Sequence, residues 1–179
     1  MFGGTWRPGE ADPDEPFRVP SVRGALRFWW RAVHGHCFTT SRSLHEAEAS
    51  LWGEAAGGPG RRSRVDLSIV RLSQPALPDD REPRDDQAYA LFPARRERGG
   101  GWRRRLCPGA AFRLVARVAG DAEAETMVRR ALCAWILFGG YGARTRRGLG
   151  SLYPLEDEGV WLPEAPTVEA FKRCLGYSP

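Results

Sequence analysis

Ser21-Val-Arg-Gly-Ala-Leu-Arg-Phe-Trp-Trp-Arg-Ala-Val-His34 repeats large apolar side chains every three to four residues, with Val22, Leu26, Trp29 and Val33 on one side of a helix. Ser21 supplies an N-cap, so the spacing predicts a helix over 22–34. At ~100° per residue, Arg23, Arg27, Trp30, Arg31 and His34 share the opposite face within about a quarter turn. Like charges one turn apart repel by a few tenths of a kcal/mol, so this basic stripe calls for counter-charges. Phosphates would supply them, and so would carboxylates such as those between Asp12 and Glu15.

Upstream of the helix, residues 1–20 are rich in Gly, Pro, Asp and Glu and read as an extended loop. Downstream, Ser43 with Glu46 forms a capping box for a second short helix ending at Gly53, and 57–62 reads as a turn. The period then changes to two: Val65, Leu67 and Ile69 alternate with Asp66 and Ser68 in a strand reaching about Leu72. Residues 73–87 mix prolines with charges and predict a surface loop; Tyr89 to Phe92 predicts a short strand. A glycine-hinged basic loop follows, with Arg95, Arg96 and Arg98 on one side of Trp102 and Arg103, Arg104 and Arg105 on the other.

Phe112, Leu114, Ala116 and Val118 alternate with Arg113 and Arg117 as another strand. Asp121 caps a helix running to about Phe138, whose almost wholly apolar last turns predict burial; Gly139 and Gly140 stop it. A strand is expected over 151–153, and Thr167 caps a last short helix through Leu175. This order predicts an α+β, ferredoxin-like (RRM-like) domain over 1–153 whose first strand is short or missing, with an extension over 154–179 carrying the short helix.

Composition narrows the function. In 179 residues, 27 basic side chains against 22 acidic ones give a net charge of +5, which favours an anionic partner. Lys172 is the one lysine; the rest are arginines, whose planar fork matches phosphate, although GC-rich codon usage produces the same bias. The longest apolar stretch, Ala131 to Phe138, is far below the ~20 residues of a membrane span. With no membrane segment and no signal pattern at the N-terminus, a cytoplasmic location is expected. Cys37, Cys107, Cys133 and Cys174 form no C-x-x-C pair, so reduced thiols are expected and no metal or other cofactor.

The second constellation is Gly139-Gly-Tyr-Gly-Ala-Arg-Thr-Arg-Arg-Gly-Leu-Gly150. Its glycines let backbone amides approach a ligand while Arg144, Arg146 and Arg147 neutralise it. A helix before it, a strand after it and the absence of lysine exclude a P-loop. Gly140, Tyr141, Gly142, Arg144, Arg146, Arg147 and Gly148 are therefore candidates for binding an anion such as nucleic acid, beside Arg23, Arg27, Trp30 and Arg31 of the first helix. Trp30, Tyr141 or Trp102 could each stack on a base.

Pro16-Phe-Arg-Val-Pro-Ser-Val-Arg-Gly-Ala-Leu-Arg-Phe-Trp-Trp-Arg31, Leu51-Trp-Gly-Glu54 and Gly140-Tyr-Gly-Ala-Arg-Thr-Arg-Arg-Gly-Leu-Gly-Ser151 together resemble the RAMP superfamily of CRISPR proteins. The resemblance is nearest to the branch that supplies the first subunit of the type III-B Cmr effector complex, and it spans about Met1 to Tyr153. It implies a non-catalytic RNA-binding subunit near the 3′ part of a CRISPR guide RNA, aiding capture of target RNA in antiviral defence, with other RAMP subunits as partners. Two departures stand against the family pattern: Phe2-Gly3-Gly4 opens this sequence where a full first strand normally precedes it, and many members carry a second ferredoxin-like half.

Two other classes compete. A metal-independent ribonuclease processing CRISPR RNA would use a histidine as general acid or base, from His34, His36 or His45. Asp79, Asp80, Asp85 and Asp86 lie in a proline-laced loop where solvated carboxylates are the ordinary expectation, and the spacing of His34, His36, Cys37 and His45 matches no standard metal site. A structural cap touching only protein would suit exposed tryptophans but leaves both arginine groups without a purpose.

Overall fold

The computed structural model describes residues 16–54, 60–73, 108–142 and 145–177. In chain order these form α1 (Val19–His34), a 3-10 turn (Gly35–Cys37), α2 (Ser41–Trp52), β1 (Val65–Arg71), β2 (Phe112–Val118), α3 (Ala122–Phe138), a 3-10 turn (Thr145–Arg147), α4 (Glu158–Trp161) and α5 (Val168–Cys174). β1 and β2 pair in a two-stranded sheet. The Leu72 N–H donates to the Ala111 carbonyl at one end of the ladder and the Ala119 N–H to Arg64 at the other, which makes the strands antiparallel.

The chain divides into two compact units. The described part of the first takes in 16–21, 69–73, 108–114, 140–142 and 145–151. Its centre is aromatic: Phe17 lies 4.4 Å from Phe112 and 5.4 Å from Tyr141, ring centre to ring centre, beside the fully buried Pro16. The second unit takes in 22–54, 60–68, 115–139 and 152–177 of the described residues. Its core joins Val22, Leu26, Trp30 and Val33 of α1 to Leu51 and Trp52 of α2, Val65 and Leu67 of β1, and Val128, Ala131, Ala134 and Trp135 of α3. α5 adds Ala170, and its Phe171 stacks at 5.8 Å on Phe138.

Several expectations are corrected. α1 starts at Val19, ahead of Ser21, because Pro20 brings a helical φ and lacks an N–H that the first turn could not pair anyway. Its buried stripe runs through Val22, Leu26, Trp30, Val33 and His34, so Trp30 and His34 belong to the core and not to the basic face. Thr40, not Ser43, caps α2: its side chain accepts from the Ser43 N–H, which adds a turn to the helix. Residues 151–153 form no strand, and Phe138 at the end of α3 is half exposed. β1, β2, α3 with its Asp121 cap, and α5 with its Thr167 cap stand where the sequence puts them. The strand expected at 89–92, the loop over 95–105, the acidic segment 12–15 and the first strand all lie outside the described residues.

Candidate nucleic-acid interface

On α1, the three arginines are each held by the chain itself. Arg23 donates to Ser63 Oγ at 2.9 Å and to the Val65 carbonyl at 3.0 Å, tying the helix to the start of β1. Arg27 Nε and Arg31 Nη1 each lie 2.6 Å from the same oxygen, Oε1 of Glu48 on α2. The Glu48 side chain is only 4% exposed, whereas those of Arg27 and Arg31 are 30% and 42% exposed. Among the described residues the counter-charge that the stripe requires is thus a carboxylate, carried by α2. Burial alone would raise the Glu48 carboxyl, but the hydrogen bonds from Arg31 and Arg27, with their charges, outweigh it and hold it below its ordinary value. Two guanidiniums against one carboxylate leave the cluster one positive charge, carried on its exposed side.

Glu48 is a residue the sequence reading missed. Its signal was its position: Leu44, Glu48, Leu51 and Trp52 share one helical face, so a carboxylate interrupts an apolar stripe that faces the core. A carboxylate there stays charged only with partners, and the arginine face of α1 provides them.

Trp30 does not offer a ring to a base. It is 1% exposed, with its ring stacked at 5.3 Å on His34 and 6.1 Å from Phe38. His34 donates through Nδ1 to the Trp30 carbonyl at 3.0 Å, and its buried Nε2 has no partner among the described residues. Burial lowers its pKa, Arg130 and His36 lower it further, and the bond to Trp30 only partly opposes them. In the folded chain His34 is therefore neutral at a pH where the unfolded chain, titrating near 6.5, takes a proton. Stability should be complete above 6.5 and be lost progressively as pH falls below it. Urea denaturation across that range should show the slope in the native chain and a flatter one in His34→Gln.

The glycine-rich segment is built in the first unit. Tyr141 is buried, and its N–H donates to the Gly150 carbonyl at 2.8 Å, joining the two ends of the loop. Its hydroxyl accepts from the Arg18 N–H at 2.8 Å, and its ring meets Phe17 edge-on. Tyr141 thus anchors the loop and is not placed to stack on a base. Between the joined ends, Thr145–Arg147 makes a 3-10 turn that leaves Arg146 and Arg147 exposed, with Gly142 and Gly148 exposed on either side. Gly140 is buried beneath, and Arg144 lies outside the described residues.

A family model described as the RAMP superfamily matches residues 2–153. The chain belongs to the RAMP superfamily. A curated relative, the CRISPR system Cmr subunit Cmr1-1 of Pyrococcus furiosus, is 31% identical over 171 residues, covering 88% of this chain and 48% of its own. The crystal structure of apo Cmr1 from Pyrococcus furiosus matches with a TM-score of 0.53 at 27% identity, over 77% of this chain and 42% of that one. The chain thus spans about half the length of the relatives it matches.

Burial, then the neighbouring Cys174, pushes the Cys133 thiol of this RAMP chain up to about 12, and among the described residues Cys37, Cys133 and Cys174 are in no disulfide. His45 pairs with Glu54 at 3.1 Å on the surface. Among the described residues no group of His, Cys, Asp and Glu is arranged to hold a metal ion, and no helix is long and apolar enough to cross a membrane.

Proposed function

We propose that this chain is a non-catalytic RNA-binding subunit of a type III-B CRISPR effector complex, working in the cytoplasm beside other RAMP subunits. In this reading the fold is a ferredoxin-like RAMP domain. Arg146 and Arg147 on the loop joined at Tyr141 and Gly150, and Arg31 on α1, meet backbone phosphates of the guide RNA or of the guide–target duplex near the 3′ end of the guide. Sequence readout belongs to base pairing. The observation that carries the proposal is the loop: backbone closure through Tyr141 holds two exposed arginines on a glycine-flanked turn, in a chain 31% identical to a Cmr subunit.

The test is the salt dependence of binding to a fluorescein-labelled oligouridylate. About three neutralised phosphates give a log-log slope of about 2, at roughly 0.7 per contact, and Arg146→Ala should remove about one contact's share. A slope near zero would overturn the reading and favour a protein-only cap, for which the half-exposed Phe28 and Phe138 would be the contact surface.

A further inference from the structure

Resting on the reading that exposed arginine of α1 meets RNA phosphate, we propose that Glu48 is a positioning residue for that contact. Its carboxylate sets Arg27 and Arg31 at one fixed spacing and presents the outer edge of Arg31 to the RNA backbone.

Two guanidiniums one helical turn apart would otherwise repel and sample separate rotamers. Here both are brought to a single oxygen at 2.6 Å. Arg27 has a second tether, from Nη1 to the Gly53 carbonyl at 3.4 Å, so it is the fixed member of the pair. Among the described residues Arg31 has only the carboxylate, and it is the more exposed, so it is the member that presents. A guanidinium has five N–H donors in a planar fork; one bond to Glu48 orients the fork and leaves donors for a phosphate. The side-chain ordering that RNA would otherwise impose on binding has been met in the fold.

This role separates from a plain counter-charge by the sign of one effect. Glu48→Gln removes a negative charge next to the RNA-binding face, so Coulomb's law alone predicts tighter binding to the labelled oligouridylate. Loss of positioning predicts the opposite, about fivefold weaker binding, despite the gain in net positive charge. Arg31→Lys makes the same distinction without touching the buried carboxylate: the charge stays, the fork goes, and affinity should fall by a similar factor. Arg31→Ala tests the underlying reading separately.

If Arg31→Ala binds like the native chain, α1 does not contact RNA, and both the reading of that helix and this inference fall. If Arg31→Ala weakens binding while Glu48→Gln binds equally or more tightly, the α1 contact stands and positioning is overturned. Weakening by all three variants supports the proposal. Thermal unfolding accompanies each titration, and should Glu48→Gln not fold, Arg31→Lys decides, with unchanged affinity overturning the proposal.

Discussion

Replacing Arg27 and Arg31 together with alanine should destabilise the fold by about 3 kcal/mol, and should also reverse the sign of its response to mild acid. In the native chain Glu48 is buried and carries two charge-assisted hydrogen bonds. Removing both donors leaves an ionised carboxylate against Leu51, Trp52 and their neighbours without compensation, the costly way to break a buried ion pair. The native carboxyl titrates below its ordinary 4.5, so its contribution is complete above 4.5 and is lost as pH falls through the lower, folded value. In the double variant only burial remains, which raises the folded pKa above 4.5. The contribution of Glu48 is then best at low pH and is lost as pH rises through that raised value. Urea denaturation at a series of pH values, with His34→Gln in both backgrounds to remove the other acid-sensitive group, should give Glu48 contributions of opposite slope. Parallel slopes would mean that the carboxylate is solvated and not clamped. Removing Glu48 instead should cost less, because both arginines already reach water.

The asymmetry between these changes also explains which features were legible in the sequence. Signals written within a few residues of where they act were read correctly. Asp121 and Gly139 bracket α3, Thr167 opens α5, and period-two alternation marks β1 and β2. Each rests on a backbone group satisfied locally or on a face repeated along one element.

Features that depend on what a helix packs against were misread. Trp29 and Trp30 are adjacent and equally apolar, and a rotation of ~100° decides which is buried. Packing of His34, Phe38 and the core selects Trp30, and the tandem pair itself contains no such information. The same displacement moves His34 from the basic face into the interior. The arginines were correctly placed together on α1, but their counter-charge lies 17 residues beyond Arg31 and became visible only when α2 was laid against α1. In the glycine loop, sequence indicated that backbone would approach closely, whereas the structure shows the approach is to the chain's own Tyr141 before any ligand.

Gly150→Ala should lower stability by about 3 kcal/mol, whereas Gly148→Ala, two residues away, should cost only about 1 kcal/mol. Both glycines have a left-handed backbone, φ +71° and +76°, so an L side chain pays ~1–2 kcal/mol at either place. The difference lies in what a Cβ would meet. At Gly148 no atom lies within 4 Å, whereas at Gly150 the added carbon would overlap the Tyr141 carbonyl oxygen. That oxygen belongs to backbone and cannot swing aside, so relief requires the joined ends of the loop to separate. The Tyr141 N–H to Gly150 bond is then lost, at about another 1 kcal/mol. Since Tyr141 is also fixed by Phe17 and the Arg18 N–H, the strain is confined to the Gly150 side, and Arg146 and Arg147 lose the turn that presents them. Unfolding curves for the two variants would check the energies, and oligouridylate binding by Gly150→Ala should show a salt slope reduced toward that of a chain without the loop arginines. Equal costs at the two glycines would mean that the loop is open in solution, and its arginines would then be independent charges rather than a fixed pair.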